Sequence, residues 1–187
     1  MNPRSTLLAL AAAAAVAAPG LAGAEGGDVE VKTVAVAGSD TPKIVMTGTM
    51  DAPPEKVWAI VSDCSKYKER MPRIAAAREL ARAGNTRTCE VTIEMPFPLS
   101  NLTAVTLATH TEAPPHFVRA WKLVRGDYKV NDGSWDVTAA PGGKSKVTYS
   151  VHAEPNTAVP GWVRERAQKS ALPDMFARVA AEAKKVP

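Results

Sequence analysis

The stretch Thr86-Arg87-Thr88-Cys89-Glu90-Val91-Thr92-Ile93-Glu94-Met95 decides the fold. Cys89, Val91, Ile93 and Met95 fall on one side of a two-residue repeat, and Thr88, Glu90, Thr92 and Glu94 on the other. An extended chain here buries one face and wets the other, the mark of a strand in an antiparallel sheet. Downstream, strands are expected over Asn101 to Thr111, Phe117 to Val124, Ser134 to Ala139 and Lys146 to Ala153. Turn chemistry separates them at Ala113-Pro114-Pro115, Asn131-Asp132-Gly133 and Pro141-Gly142-Gly143. Consecutive strands with such short connections form a meander.

Upstream, Lys43 to Met50 also alternates, preceded by a candidate strand over Val29 to Val36 and a turn at Gly38-Ser39-Asp40. At Asp51-Ala52-Pro53-Pro54-Glu55 the pattern breaks. Two prolines suit a first helical turn, and Val57, Trp58, Ile60 and Val61 supply an apolar stripe. A second short helical piece is expected over Ser65 to Met71, ended at Pro72. Gly161 to Lys184 returns to helical spacing, with Val163, Ala167, Ala171, Met175, Val179 and Ala183 nearly in line, widened by Trp162, Leu172 and Phe176. Pro173 should kink it. The class is α+β: a curved antiparallel sheet wrapped around a long C-terminal helix, with two short helices after the first strand.

The chain has 187 residues, 45% hydrophobic and 22% charged, which excludes a disordered tail and a repeat solenoid. Lys and Arg number 23 against 19 Asp and Glu, a net of +4. That excess is too slight and too interspersed for a nucleic-acid binder, so no nucleic acid is expected as a partner. Residues 1–24 read as a cleavable signal peptide: a basic start at Arg4, an apolar run from Leu7 to Ala18, and Ala22-Gly23-Ala24 before Glu25. The run is shorter than the roughly 20 residues of a membrane span. Cleavage after Ala24 leaves 22 basic and 19 acidic residues, a net of +3, and a periplasmic or secreted protein. In an oxidising compartment Cys64 and Cys89 are a candidate disulfide; two buried free thiols are the alternative.

The order of elements, with Ala52-Pro53-Pro54-Glu55-Lys56-Val57-Trp58 in the first helix, Asp63 and Tyr67 after it, Met71-Pro72, and Gly133-Ser134-Trp135 late in the sheet, resembles the START-like or SRPBCC superfamily. This is the helix-grip fold, also seen in pollen-allergen-like proteins and polyketide cyclases. The resemblance spans Lys43 to Lys184, so residues 25–42 read as an N-terminal extension and 43–187 as the START-like domain. It implies a hydrophobic cavity between sheet and final helix that takes up a lipid, sterol or aromatic polyketide.

Val91, Ile93, Met95, Phe117, Trp121, Leu123, Trp135, Val137, Tyr149 and Val151 alternate onto the inner face of their strands, and Leu172, Met175 and Phe176 can meet them from the helix. By alternation alone these residues fill a core; the resemblance makes them cavity candidates. Phe97 joins them from Met95-Pro96-Phe97-Pro98-Leu99, which reads either as a stiff apolar loop at a cavity mouth, touching ligand or membrane, or as a packed connector. Trp162, opening the last helix, marks a portal or staples the helix to the sheet. Arg119 shares the parity of Phe117 and Trp121. If those rings point inward the guanidinium must be paired or bound to something polar; if the parity is inverted it is exposed.

Catalytic spacing is absent. His110, His116 and His152 stand alone and read as solvated surface residues, so neither a metal nor a cofactor is expected. No nucleophile elbow or phosphate-cradling loop occurs. The reading is a monomeric, non-catalytic protein that binds a hydrophobic small molecule or lipid and carries or buffers it outside the cytoplasm, with transient membrane contact. One alternative is a cyclase or aromatase in which Arg119, Tyr128 or Tyr149 does acid-base work in the same cavity. Another is an interaction module whose cavity is filled by its own side chains.

Overall fold

A computed structural model describes residues 29–187; the expected signal peptide lies outside them. Eight strands are found in the described chain: β1 (Glu30–Val36), β2 (Ser39–Met50), β3 (Ile74–Ala83), β4 (Thr86–Ile93), β5 (Leu102–Ala113), β6 (His116–Gly126), β7 (Tyr128–Ala140) and β8 (Lys144–Pro155). They form one antiparallel sheet in the order β1-β2-β8-β7-β6-β5-β4-β3. The helices α1 (Pro54–Val61) and α2 (Tyr67–Arg70) follow β2, with a 3-10 turn between them at Cys64–Lys66. The C-terminal helix runs as α3 (Gly161–Arg166), a π-helical turn (Ala167–Ala171) and α4 (Leu172–Lys185). This is the helix-grip arrangement.

Each piece has a local cause. At the start of α1, Pro53 is extended and Pro54 occupies a position whose missing N–H costs nothing, while the Lys56 and Val57 amides donate to the Pro53 carbonyl. Val57, Trp58, Ile60 and Val61 are then buried against α4 and the sheet. In α4 the inward stripe is Phe176, Val179 and Ala183, meeting Met46, Met50, Trp135, Val137 and Val147 from the sheet. Gly48 on β2 lets this contact close: a Cβ there would stand 3.0 Å from Phe176 Cε1.

Several expectations are corrected. The strand β3 has no counterpart among those expected; its Ala, Arg and Glu favour helix, but Gly84 in the left-handed region turns the chain back into β4, and pairing overrides propensity. Asn131-Asp132-Gly133 is not a turn but the interior of β7. The hairpin turn expected at Gly38-Ser39-Asp40 lies at Ala37-Gly38, and β2 begins at Ser39; the candidate strand over Val29 to Val36 is present as β1, paired with β2. At Pro173 the structure adds a feature that spacing did not announce. The Pro has no N–H to give, and the helix widens to a π turn immediately before it, leaving Pro173 in the first turn of α4.

Candidate functional site

Sheet and C-terminal helix do not close completely on each other. Between them lies a cavity of about 650 Å³, within the range of ligand pockets. Of the residues expected there, Val91, Ile93, Met95, Arg119, Trp121, Trp135, Tyr149, Val151, Leu172 and Met175 line it. The other five lie elsewhere. Phe117 is buried under α1, stacked on Trp58 with ring centres 5.5 Å apart. Val137 and Phe176 are core, Phe176 stacking on Trp135. Leu123 packs on a separate cluster of Leu102, Ala104 and Tyr128. Phe97 is 95% exposed.

Lining residues outside that set include Leu102, Ala104 and Thr106 on β5, Asn131 on β7, Ile44 on β2, Tyr67 on α2 and Met71 after it, and Tyr128 on β7, expected there only for the cyclase alternative. The β5 set was legible: Leu102, Ala104, Thr106, Ala108 and His110 share one parity and all are buried. Trp121 owes its position to Gly133, its cross-strand partner. A Cβ on Gly133 would lie 2.3 Å from Trp121 Cζ2 and 2.4 Å from the Ser150 carbonyl oxygen, so only Gly admits the ring. Trp121 Nε1 donates to Asn131 Oδ1 at 3.1 Å.

The cavity's inner end is polar. Arg119 points inward and is 3% exposed, which resolves its parity. Its Nη1 donates to the Ser62 carbonyl oxygen at 3.3 Å and to His110 Nε2 at 2.6 Å, and its Nη2 to Cys89 Sγ at 3.2 Å. The guanidinium lies 5.9 Å from the centre of the Tyr67 ring, whose hydroxyl donates to the Val61 carbonyl. Cys64 and Cys89 are bonded, tying the 3-10 turn to β4.

His110 and His152 correct the expectation of solvated histidines. His110 is 4% exposed, against Trp58. Burial, reinforced by Arg119 and then Arg87 and Arg82, lowers its pKa to about 4, so the ring is neutral at pH 7. Because a guanidinium can only donate, Nε2 accepts and the ring proton sits on Nδ1. His152 is on the outer face, as its parity requires, but the start of β2 covers it to 8% exposure, with Ser39 Oγ 3.2 Å from its Nε2. His116 is exposed and pairs with Asp136. Groups of three or more His, Cys, Asp or Glu able to hold a metal do not occur among the described residues.

Burial also raises Tyr128, to about 12, and Tyr149 further. Both hydroxyls therefore stay protonated near neutrality. At the other end the lining passes to the exposed Thr157, Ala158, Arg164 and Arg166, which marks the mouth. Met95 and Pro96 border the same opening. Phe97 and Trp162, the latter 52% exposed, extend from the two segments that flank it. Among the described residues no helix is long and apolar enough to cross a membrane.

Known structures share this build. A STAR-related lipid transfer protein from Xanthomonas axonopodis is 20% identical with a TM-score of 0.73, over 86% of this chain and 95% of that one. Human STARD10 is 18% identical with a TM-score of 0.73, over 85% and 70%. The Zhui aromatase/cyclase from Streptomyces sp. R1128 is 15% identical with a TM-score of 0.64, over 76% and 93%. At these identities the likeness is one of fold. A search of curated proteins finds no match to the sequence. Residues 50–180 match the family described as polyketide cyclase / dehydrase and lipid transport, whose fold implies binding of a hydrophobic ligand, and the chain belongs to that family.

Proposed function

We propose that this protein carries or buffers a hydrophobic molecule, a lipid or lipid-like compound, outside the cytoplasm. The observation that carries the reading is the cavity itself: apolar walls from β4, β8 and the C-terminal helix, a closed inner end at Arg119, and a mouth between two loops. Moving an aliphatic chain through water costs about 0.8 kcal/mol for each exposed CH₂, and an apolar cavity removes that cost without chemistry. An open cavity also argues against a module filled by its own side chains. For the cyclase alternative, burial keeps Tyr128 and Tyr149 protonated, so neither serves as a base near neutrality, and the Nε2 lone pair of His110 is taken by Arg119.

Delivery from a membrane is supported by the mouth. Phe97 is an exposed ring between two prolines, Trp162 opens α3, and Arg164 and Arg166 stand exposed beside it. Aromatics flanked by cations suit an anionic bilayer surface. Export is supported by the sequence of residues 1–24 and by the Cys64–Cys89 bridge. The mature chain, starting at Glu25 and acting as a monomer, is incubated with a total lipid extract and examined by native mass spectrometry. A retained lipid-sized adduct is expected; a bare mass in every lipid condition overturns the carrier, and turnover of a polyketide-like substrate would replace it by the cyclase. Subcellular fractionation that finds the chain in the cytoplasm with Met1 intact overturns the export.

A further inference from the structure

Arg119 is a buried cation without an anion. Its three protein contacts are a backbone carbonyl, a neutral imidazole and a disulfide sulfur, and none carries a formal negative charge. No carboxylate among the described residues forms an ion pair with it. Glu79, the acid that acts on the neighbouring His110, is held by Arg82 at 2.8 Å and by Arg87 at 3.9 Å. The end of α1 at Ser62 and the Tyr67 face offer only partial charge. An ion taken from water needs compensation, and a buried guanidinium normally has a carboxylate. Here the open side of Arg119 is the cavity, which it lines together with Thr106, Tyr149 and its cross-strand partner Trp135.

We propose that the inner end of the cavity is an acid-reading subsite, in which Arg119 pairs with the carboxylate of a long-chain acid whose hydrocarbon tail occupies the apolar remainder. This rests on the cavity-binding reading above and adds the charge of the cargo. Three features of the site select a carboxylate. The planar guanidinium fork matches its two oxygens. A single cation balances a single charge, whereas the other cavity-lining cations, Arg73, Lys129, Arg164 and Arg166, come from loop or surface positions. His110, by accepting from Nη1, holds the fork in place and adds no competing charge.

The test is a competition, read by native mass spectrometry at pH 7.5, between palmitate, methyl palmitate and hexadecanol on the delipidated mature protein. Hydrogen bonds to a charged group predict that palmitate is preferred by about tenfold to a hundredfold over both neutral analogues. Arg119→Met, close in length and uncharged, should lose the preference for palmitate over methyl palmitate; Arg119→Lys should keep part of it. Equal occupancy of wild type by all three overturns the acid-reading subsite and leaves the carrier standing. Binding of none overturns both. If the Met variant fails to fold, the wild-type competition alone decides. A folded Met variant that retains the preference moves the subsite away from Arg119 and overturns the proposal.

Discussion

At the scale of single residues, His110 converts burial into a pH response. Its folded pKa of about 4 lies below the ordinary 6.5 because the charged ring would be desolvated beside Arg119, Arg87 and Arg82, with Glu79 opposing weakly. Between these values the unfolded chain binds the proton and the folded chain does not. Stability from the neutral ring is therefore complete above about pH 6.5 and is lost as the pH falls toward 4, by as much as about 3 kcal/mol. Urea unfolding at pH 7.0, 5.5 and 4.5 measures this against His110→Gln, whose amide oxygen still accepts from Arg119. The wild type should lose ground to the variant on acidification, and a constant difference would remove His110 as the cause. Gly133 gives a second residue-scale outcome. Gly133→Ala forces a Cβ into Trp121 and the Ser150 carbonyl, and should cost about 1–3 kcal/mol in thermal unfolding with altered Trp fluorescence. An unchanged melting temperature would mean that the ring has room elsewhere.

At the scale of elements, periodicity was readable wherever one force acted alone. The alternation of β5 and the stripe of α4 are burial written directly in sequence. Legibility failed where long-range pairing opposed local preference. Ile74–Ala83 has helix-forming residues and is an edge strand because β4 is beside it, and Asn131-Asp132-Gly133 has turn residues yet pairs along its length with β8, and at Gly133 with β6 as well. Nothing local could announce that Gly133 is there to admit a Trp ring from β6. The cysteine pair was open for the same reason, since sequence does not bring sulfurs together. Bonded, Cys64 and Cys89 close a loop spanning 25 residues and anchor the turn after α1 to β4, the wall that also holds Arg119. Replacing both by Ala should lower stability by about 3 kcal/mol, and reduction of the wild type should do the same. A double variant that unfolds at the wild-type denaturant midpoint would show that packing alone holds the turn.

At the scale of the whole molecule, the candidate site was half legible. Alternation says which side chains point inward, and ten of the fifteen expected residues reach the cavity. It does not say where the inner space is packed and where it is empty. Phe117, Val137 and Phe176 point inward and meet α1, the sheet and Trp135 instead of the cavity. That division is made by α1 filling one half of the grip and the widened helix at Ala167–Ala171 standing off the other. A protein with such an unfilled apolar volume has not completed its core, and a cargo that completes it must stabilise the fold. At a free ligand concentration of one hundred times the dissociation constant the gain is about 2.7 kcal/mol, about 5–10 °C for a chain of this size. Ala171 lies on the π turn and lines the cavity, so Ala171→Phe should place a ring where the cargo would lie. The delipidated variant should melt at or above the wild-type temperature, because it buries new apolar area without displacing packed atoms. It should also lose the rise that cargo gives the wild type. If the variant keeps that rise in full, the stabilising ligand sits outside this cavity and the carrier reading loses its physical basis.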